Sequence, residues 1–186
     1  MTLTLVTPPV AEPIAVEEAK AFARIETGDD DALVTALITG ARQRVEAETG
    51  LALMTQTWRL SLDRPPDDRI LRVPIGPIQT VEHVAVVDRA GATSLIAATD
   101  LELDLATGRI RLKTWPLPAV PALGGLQVTL RVGFGGVAAV PEPLKHAIRL
   151  LVAQAYDDRG DAASPDGRAL PSAVVALLAP YRRRRL

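Results

Sequence analysis

The period of the hydrophobic pattern changes twice along this chain, and that change limits the fold more than composition does. From about residue 13 to 52, apolar side chains recur every three to four residues, the spacing of one helix face. From 53 to 136 they alternate with polar neighbours, the spacing of a strand with one buried side. From 141 to 181 the helical spacing returns. The expected fold class is therefore α+β: a helical core built from N- and C-terminal helices, with an inserted antiparallel β unit. A chain of 186 residues fits one domain, 1–186. It can bury roughly 70% of its unfolded surface, so it needs no metal or disulfide to fold.

Residues 1–12 include Pro8 and Pro9, and are expected to be extended and unanchored. A short helix is predicted over about Val16 to Arg24, with Val16, Ala19, Phe22 and Ala23 inward. Gly28 interrupts it, and Asp29 or Asp30 is placed to cap a longer helix running to about Thr49. Leu33, Leu37, Ala41 and Val45 repeat at four-residue spacing, and Val34 and Ile38 widen the stripe. Arg42, Arg44, Glu46 and Glu48 fall on the opposite face, and Gly50 is placed to stop the helix. A third helix is predicted from Pro141, burying Leu144, Ala147, Ile148, Leu151, Val152 and Ala155. After a polar loop over 157–170, a last helix over about 171–179 ends at Pro180.

Between the helices, Trp58, Leu60 and Leu62 alternate with Thr57, Arg59 and Ser61. Short runs of the same kind follow at 69–73, 80–88, 94–97, 100–104, 109–113 and 126–132. Turn residues separate them, among them Pro65 to Asp68, Gly76-Pro77 and Arg89 to Gly91. Leu101, Leu103 and Leu105, then Thr107-Gly108, then Ile110 and Leu112, read as a hairpin. Six or seven strands are expected, with a proline-rich loop at 114–125.

The chemistry-bearing residues are few. The absence of cysteine removes disulfides, zinc–thiolate sites, iron–sulfur clusters and thiol nucleophiles together. His83 stands alone in a predicted strand, and His146 has Glu142 four residues before it, a spacing that makes a surface pair rather than a metal site. None of Ser61, Ser94, Ser164 and Ser172 lies in a Gly-x-Ser-x-Gly elbow. Gly133, Gly135 and Gly136, with Ala138, suggest a dinucleotide loop but lack the βαβ context, and read as a strand exit. Asp29, Asp30 and Asp31 lack the rest of a calcium loop. No catalytic, metal or cofactor residue is expected, and the chain is not expected to be an enzyme. No apolar run reaches the roughly 20 residues of a membrane span. The N-terminus has no basic segment before its short apolar stretch, so a cytosolic protein is expected.

Charge is balanced overall at −1 but unevenly placed. Residues 17–31 hold six acids against Lys20 and Arg24, a local balance of −4. The C-terminus carries Tyr181 followed by Arg182, Arg183, Arg184 and Arg185. That tail is either a solvated end or a docking segment, since guanidinium groups bind carboxylates and phosphates in bidentate fashion. Aromatics make up 3% of the chain, too few for a base-stacking platform, and no basic face accompanies the tail.

Three stretches, taken in order, resemble a known family. The first is Pro13 to Ile25, then Asp29 to Leu33, then Ala41 to Gly50; the second is Thr55-Gln56-Thr57-Trp58; the third is Val132 to Gly135, Val140 to Ile148 and Leu177 to Arg182. Their order and spacing are similar to those of the head–tail connector (adaptor) proteins of long-tailed phages, prophages and gene transfer agents. Ala15 stands where the family often has a Ser or Thr cap, and Phe22-Ala23 where it often has His-Leu. The resemblance implies a ring of about twelve copies beneath a portal protein, extending a DNA channel without sequence-specific DNA binding. It implies a surface for a head-closure or tail-completion protein, assembly of the particle in the bacterial cytoplasm, and no membrane partner. Carried over, Tyr181, Arg182, Arg183, Arg184 and Arg185 would engage the portal, and the β unit would face outward or toward the tail. The residues alone also leave open a small nucleic-acid-binding or packaging accessory protein that works through the arginine tail.

Overall fold

In the structure, a computed structural model, residues 1–88, 90–113, 123–158 and 169–182 are described. The fold is α+β. Two compact units divide the chain, each built from two separate stretches: Met1–Val10 with Thr55–Phe134, and Ala11–Met54 with Gly135–Leu186.

The second unit is helical. It contains α1 (Val16–Ala23), α2 (Asp31–Thr49), α3 (Glu142–Asp157) and α4 (Ser172–Leu178). Helix α3 lies against α1, α2 and α4 and so forms the centre of the unit. Leu144, Ala147, Ile148 and Val152 on α3 are completely buried, with Val34 and Val45 of α2 and Val174 and Leu178 of α4. Side chains of this size each contribute about 1.5–3 kcal/mol when fully withdrawn from water. Ala155, expected inside, is exposed at the far end of α3. Gly50 ends α2 in the left-handed conformation, φ 70°, and its N–H donates to the Glu46 carbonyl. Pro180 does not end the last helix abruptly: a 3₁₀ turn, Ala179–Tyr181, continues it.

The face that α2 buries is not the one its leucines mark. Val34, Ile38, Ala41, Arg42, Val45 and Thr49 are buried, whereas Leu33 and Leu37 are half-buried. Arg42, expected on the outer face, is 6% exposed. The helix is rotated so that this guanidinium faces inward to two carboxylates, described below. Asp30 does occupy the N-cap position of α2, but its side chain makes no capping hydrogen bond. Its carboxylate instead accepts from the Tyr156 hydroxyl at 2.5 Å and from Thr27 Oγ1 at 3.4 Å. Phe22, expected inward on α1, is 39% exposed.

The first unit is all β among the described residues, apart from one 3₁₀ turn at Ala98–Asp100. Strands β1 (Thr2–Thr7), β2 (Gln56–Leu62), β4 (Ile78–Val87), β5 (Thr93–Ile96) and β8 (Leu126–Val132) form a sheet in the order β1-β2-β8-β4-β5. Strands β3 (Ile70–Arg72), β6 (Leu101–Asp104) and β7 (Arg109–Leu112) form a second sheet in the order β3-β7-β6. Every pairing is antiparallel. The strands sit within two residues of the predicted runs, and the hairpin at Thr107-Gly108 joins β6 to β7, with Gly108 at φ 72°. The expected loop at 114–125 falls at 114–122 outside the described residues, as does most of the 157–170 loop at 159–168.

One element was not anticipated. The N-terminus is extended, as expected, but it is not unanchored: β1 pairs with β2, setting Leu3 opposite Leu60 and Leu5 opposite Trp58. Cross-strand pairs of this kind each contribute ~0.2–1 kcal/mol. Removing residues 1–7 should therefore cost about 2 kcal/mol, which lowers the melting temperature by on the order of 5 °C for a chain of this size. A truncated chain that melts unchanged would mean that β1 contributes nothing to the sheet.

Candidate docking surface

The C-terminal segment leaves the helical unit from a fixed point. Val174 and Leu178 bury one side of α4, and the Arg182 N–H donates to the Leu178 carbonyl at 3.1 Å. Tyr181 is half-buried in the 3₁₀ turn and Arg182 is exposed. The Arg182 guanidinium reaches back to α2, where Nη2 lies 3.3 Å from Glu48 Oε2. Glu48 is shared, because Arg44 Nε lies 3.5 Å from its other oxygen. Tyr181 and Arg182 are thus brought to the end of α2. Arg183, Arg184 and Arg185 lie outside the described residues.

Further inside the same unit, Arg42 joins two parts of the chain. Its Nε donates to Glu12 Oε2 at 2.7 Å and its Nη1 to Glu46 Oε2 at 2.8 Å. Each carboxylate has a second donor: Thr39 Oγ1 to Glu12 at 2.9 Å, and the Leu53 N–H to Glu46 at 2.8 Å. Burial alone works against the charge on Arg42, but the hydrogen bond to Glu12 and the charges of Glu46 and Glu12 outweigh it, so its pKa lies above the ordinary guanidinium value. The spacing of Arg42 and Glu46 was visible as an i,i+4 pair in the sequence. Nothing local marked Glu12 as the third member.

Neither histidine joins a cluster of potential metal ligands among the described residues. His83 is exposed on β4. His146 does not pair with Glu142; its ring meets Phe22 edge-on, with centroids 5.7 Å apart. Glu142 is held instead by Arg149 and by Lys145 Nζ at 3.2 Å. Hydrogen bonds from Arg149 and then Lys145 keep its carboxyl below the usual range. Among the described residues no three His, Cys, Asp or Glu side chains converge as metal ligands, and no helix is long and apolar enough to cross a membrane. Gly133 and Gly135 exit β8 with φ near 120°, a strand exit as read. In the β unit, a polar depression of about 460 Å³ is lined by Asp68, Arg69, Glu102, Arg111, Leu112 and Lys113. Its two carboxylates are already engaged, Asp68 by Arg72 at 2.7 Å and Glu102 by Arg111 at 3.6 Å.

Tyr181 and Arg182, the latter held to Glu48, are the members of the expected docking segment that the structure describes. Comparisons with known proteins supply the family. Residues 13–92 match the model of the Phage gp6-like head-tail connector protein family. The whole chain is also similar to a chain in the neck of an empty gene transfer agent particle, solved with C6 symmetry: 32% identity, TM-score 0.83, covering 100% of this chain and 97% of that one. The chain belongs to the head–tail connector family. Two further likenesses have the same coverage: a chain in the virion of the native gene transfer agent particle, 30% identical with a TM-score of 0.81, and one in the neck of the native particle solved with C12 symmetry, 31% identical with a TM-score of 0.77. No curated protein matches the chain in sequence.

Within this connector, the two arginine sites should respond very differently to substitution. Arg42→Ala leaves Glu12 and Glu46 facing each other without a cation and should cost about 3 kcal/mol. Arg182→Ala removes only an exposed pair and should cost less than about 1 kcal/mol. Urea unfolding of both variants measures this, and equal losses would contradict the assigned geometry.

Proposed function

We propose that this connector is the adaptor of a phage-like particle of the gene transfer agent or prophage kind. It forms a ring beneath the portal, sized by the portal's own symmetry at about twelve copies, that extends the DNA channel and carries the head-closure or tail-completion protein. The observation that carries this reading is the end-to-end likeness to chains of gene transfer agent necks, at 30–32% identity over the full length. It applies to both units and not to the helices alone. The C12 symmetry of one of those necks supports the twelve-copy ring.

In this reading Tyr181 and Arg182 to Arg185 engage the portal. The Arg182–Glu48 pair is exposed, so exchanging Glu48 for a carboxylate on the portal costs little, less than about 1 kcal/mol. DNA passes the ring without base-specific contacts.

Native mass spectrometry of the chain mixed with the portal protein of the same gene cluster tests the proposal. A complex with one connector per portal subunit is expected, and deletion of 182–186 should abolish it while duplex DNA affinity stays negligible. Tight, steeply salt-dependent DNA binding by the intact chain, without a portal complex, would overturn it in favour of a nucleic-acid-binding accessory protein.

A further inference from the structure

The five-stranded sheet has two unlike faces. One carries Leu60, Val84, Val128 and Leu130, all completely buried. On the other, Thr4, Arg59, Thr129 and His83 stand in one cross-strand row over β1, β2, β8 and β4. Thr4, Arg59 and His83 are exposed, but Thr129 between them is only 4% exposed, and its hydroxyl has no hydrogen-bond partner. A hydroxyl withdrawn from water without a partner is uncommon and calls for an explanation. Beside it, Arg59 enters no ion pair among the described residues. The neighbouring Arg131 is already neutralised by Glu82, at 3.1 Å. The row therefore offers one guanidinium, unopposed among the described residues and suited to a carboxylate, beside a buried hydroxyl that lacks a partner.

We infer that this row receives the turn between α1 and α2 of a second copy, through Glu26 and Asp29. The inference rests on the ring proposed above. Both carboxylates are exposed and neither has a partner among the described residues. Their neighbours are occupied: Asp30 by Tyr156 and Asp31 by Lys20. Gly28, between these two acids, has nothing within 4 Å of where a Cβ would stand, so no side chain at 28 stands between the turn and a partner. Duplex DNA is the weaker candidate, because one free arginine neutralises too few phosphates for more than marginal binding. The two patches are different surfaces of one chain, so the contact is head-to-tail rather than self-paired, the kind that forms a ring when its rotation closes.

A charge exchange tests this on the connector assembled with the portal protein, read by native mass spectrometry. Arg59→Glu should melt as the original chain does yet assemble at least roughly tenfold more weakly, the effect of placing like charges across an interface. Adding Glu26→Arg and Asp29→Arg to that variant should restore the ring. Thr129→Val, which removes only the hydroxyl, should weaken assembly by a smaller factor. Normal assembly of Arg59→Glu would overturn the inference, and so would a loss that the reversed acids do not restore. Loss of DNA retention in a gel shift, with subunit count unchanged, would overturn it in favour of a nucleic-acid surface. If the original chain forms no complex with the portal, the functional reading fails and this inference with it; if it does and Arg59→Glu does too, this inference alone fails.

Discussion

The helical unit depends on one buried guanidinium. Arg42 holds Glu12, just before α1, and Glu46, one turn further along α2, while Glu46 in turn accepts the Leu53 N–H. These bonds tie down both ends of the stretch Ala11–Met54. They also fix the rotation of α2, because a cation on the buried face is tolerable only where both carboxylates reach it. The apolar line Val34, Ile38, Ala41 and Val45 follows from that rotation, and α3 packs against α2. Apolar burial supplies most of the energy here, and the ionic fork selects which of two neighbouring stripes is used.

In the small sheet charge acts on register instead. Its strands are three or four residues long, too short for the apolar pattern alone to fix their alignment. Glu102 stands opposite Arg111 and Asp104 opposite Arg109, and each couple forms an ion pair, at 3.6 Å and 3.1 Å. Such exposed pairs add little stability, but a slip of one residue would put side chains of both couples on the wrong face.

What the sequence makes legible is local. The α3 stripe, the Gly50 stop and seven of the strands follow from periodicity and turn residues, and each appears within about two residues of its expected place. What it hides depends on partners distant along the chain. β1 reads as an untethered end because its mate, β2, begins at Gln56. Asp30 reads as a helix cap because Tyr156, which takes its carboxylate, is 126 positions away. Arg42 reads as solvent-facing because Glu12 is 30 positions before it. The reading of the tail as a portal-binding segment rests on resemblance and charge alone, since Arg183 to Arg185 lie outside the described residues.

Each unit is made of two stretches interrupted by the other, and this sets a schedule for the protein's synthesis. The large sheet cannot close until β8 is made, because β8 lies between β2 and β4. The helical unit cannot close until α3 and then α4 have left the ribosome, because α1 and α2 pack on α3. Almost nothing is complete until almost everything is present, and such non-local closure is slow. The basic segment follows α4, so it is translated only after every strand and helix of both units.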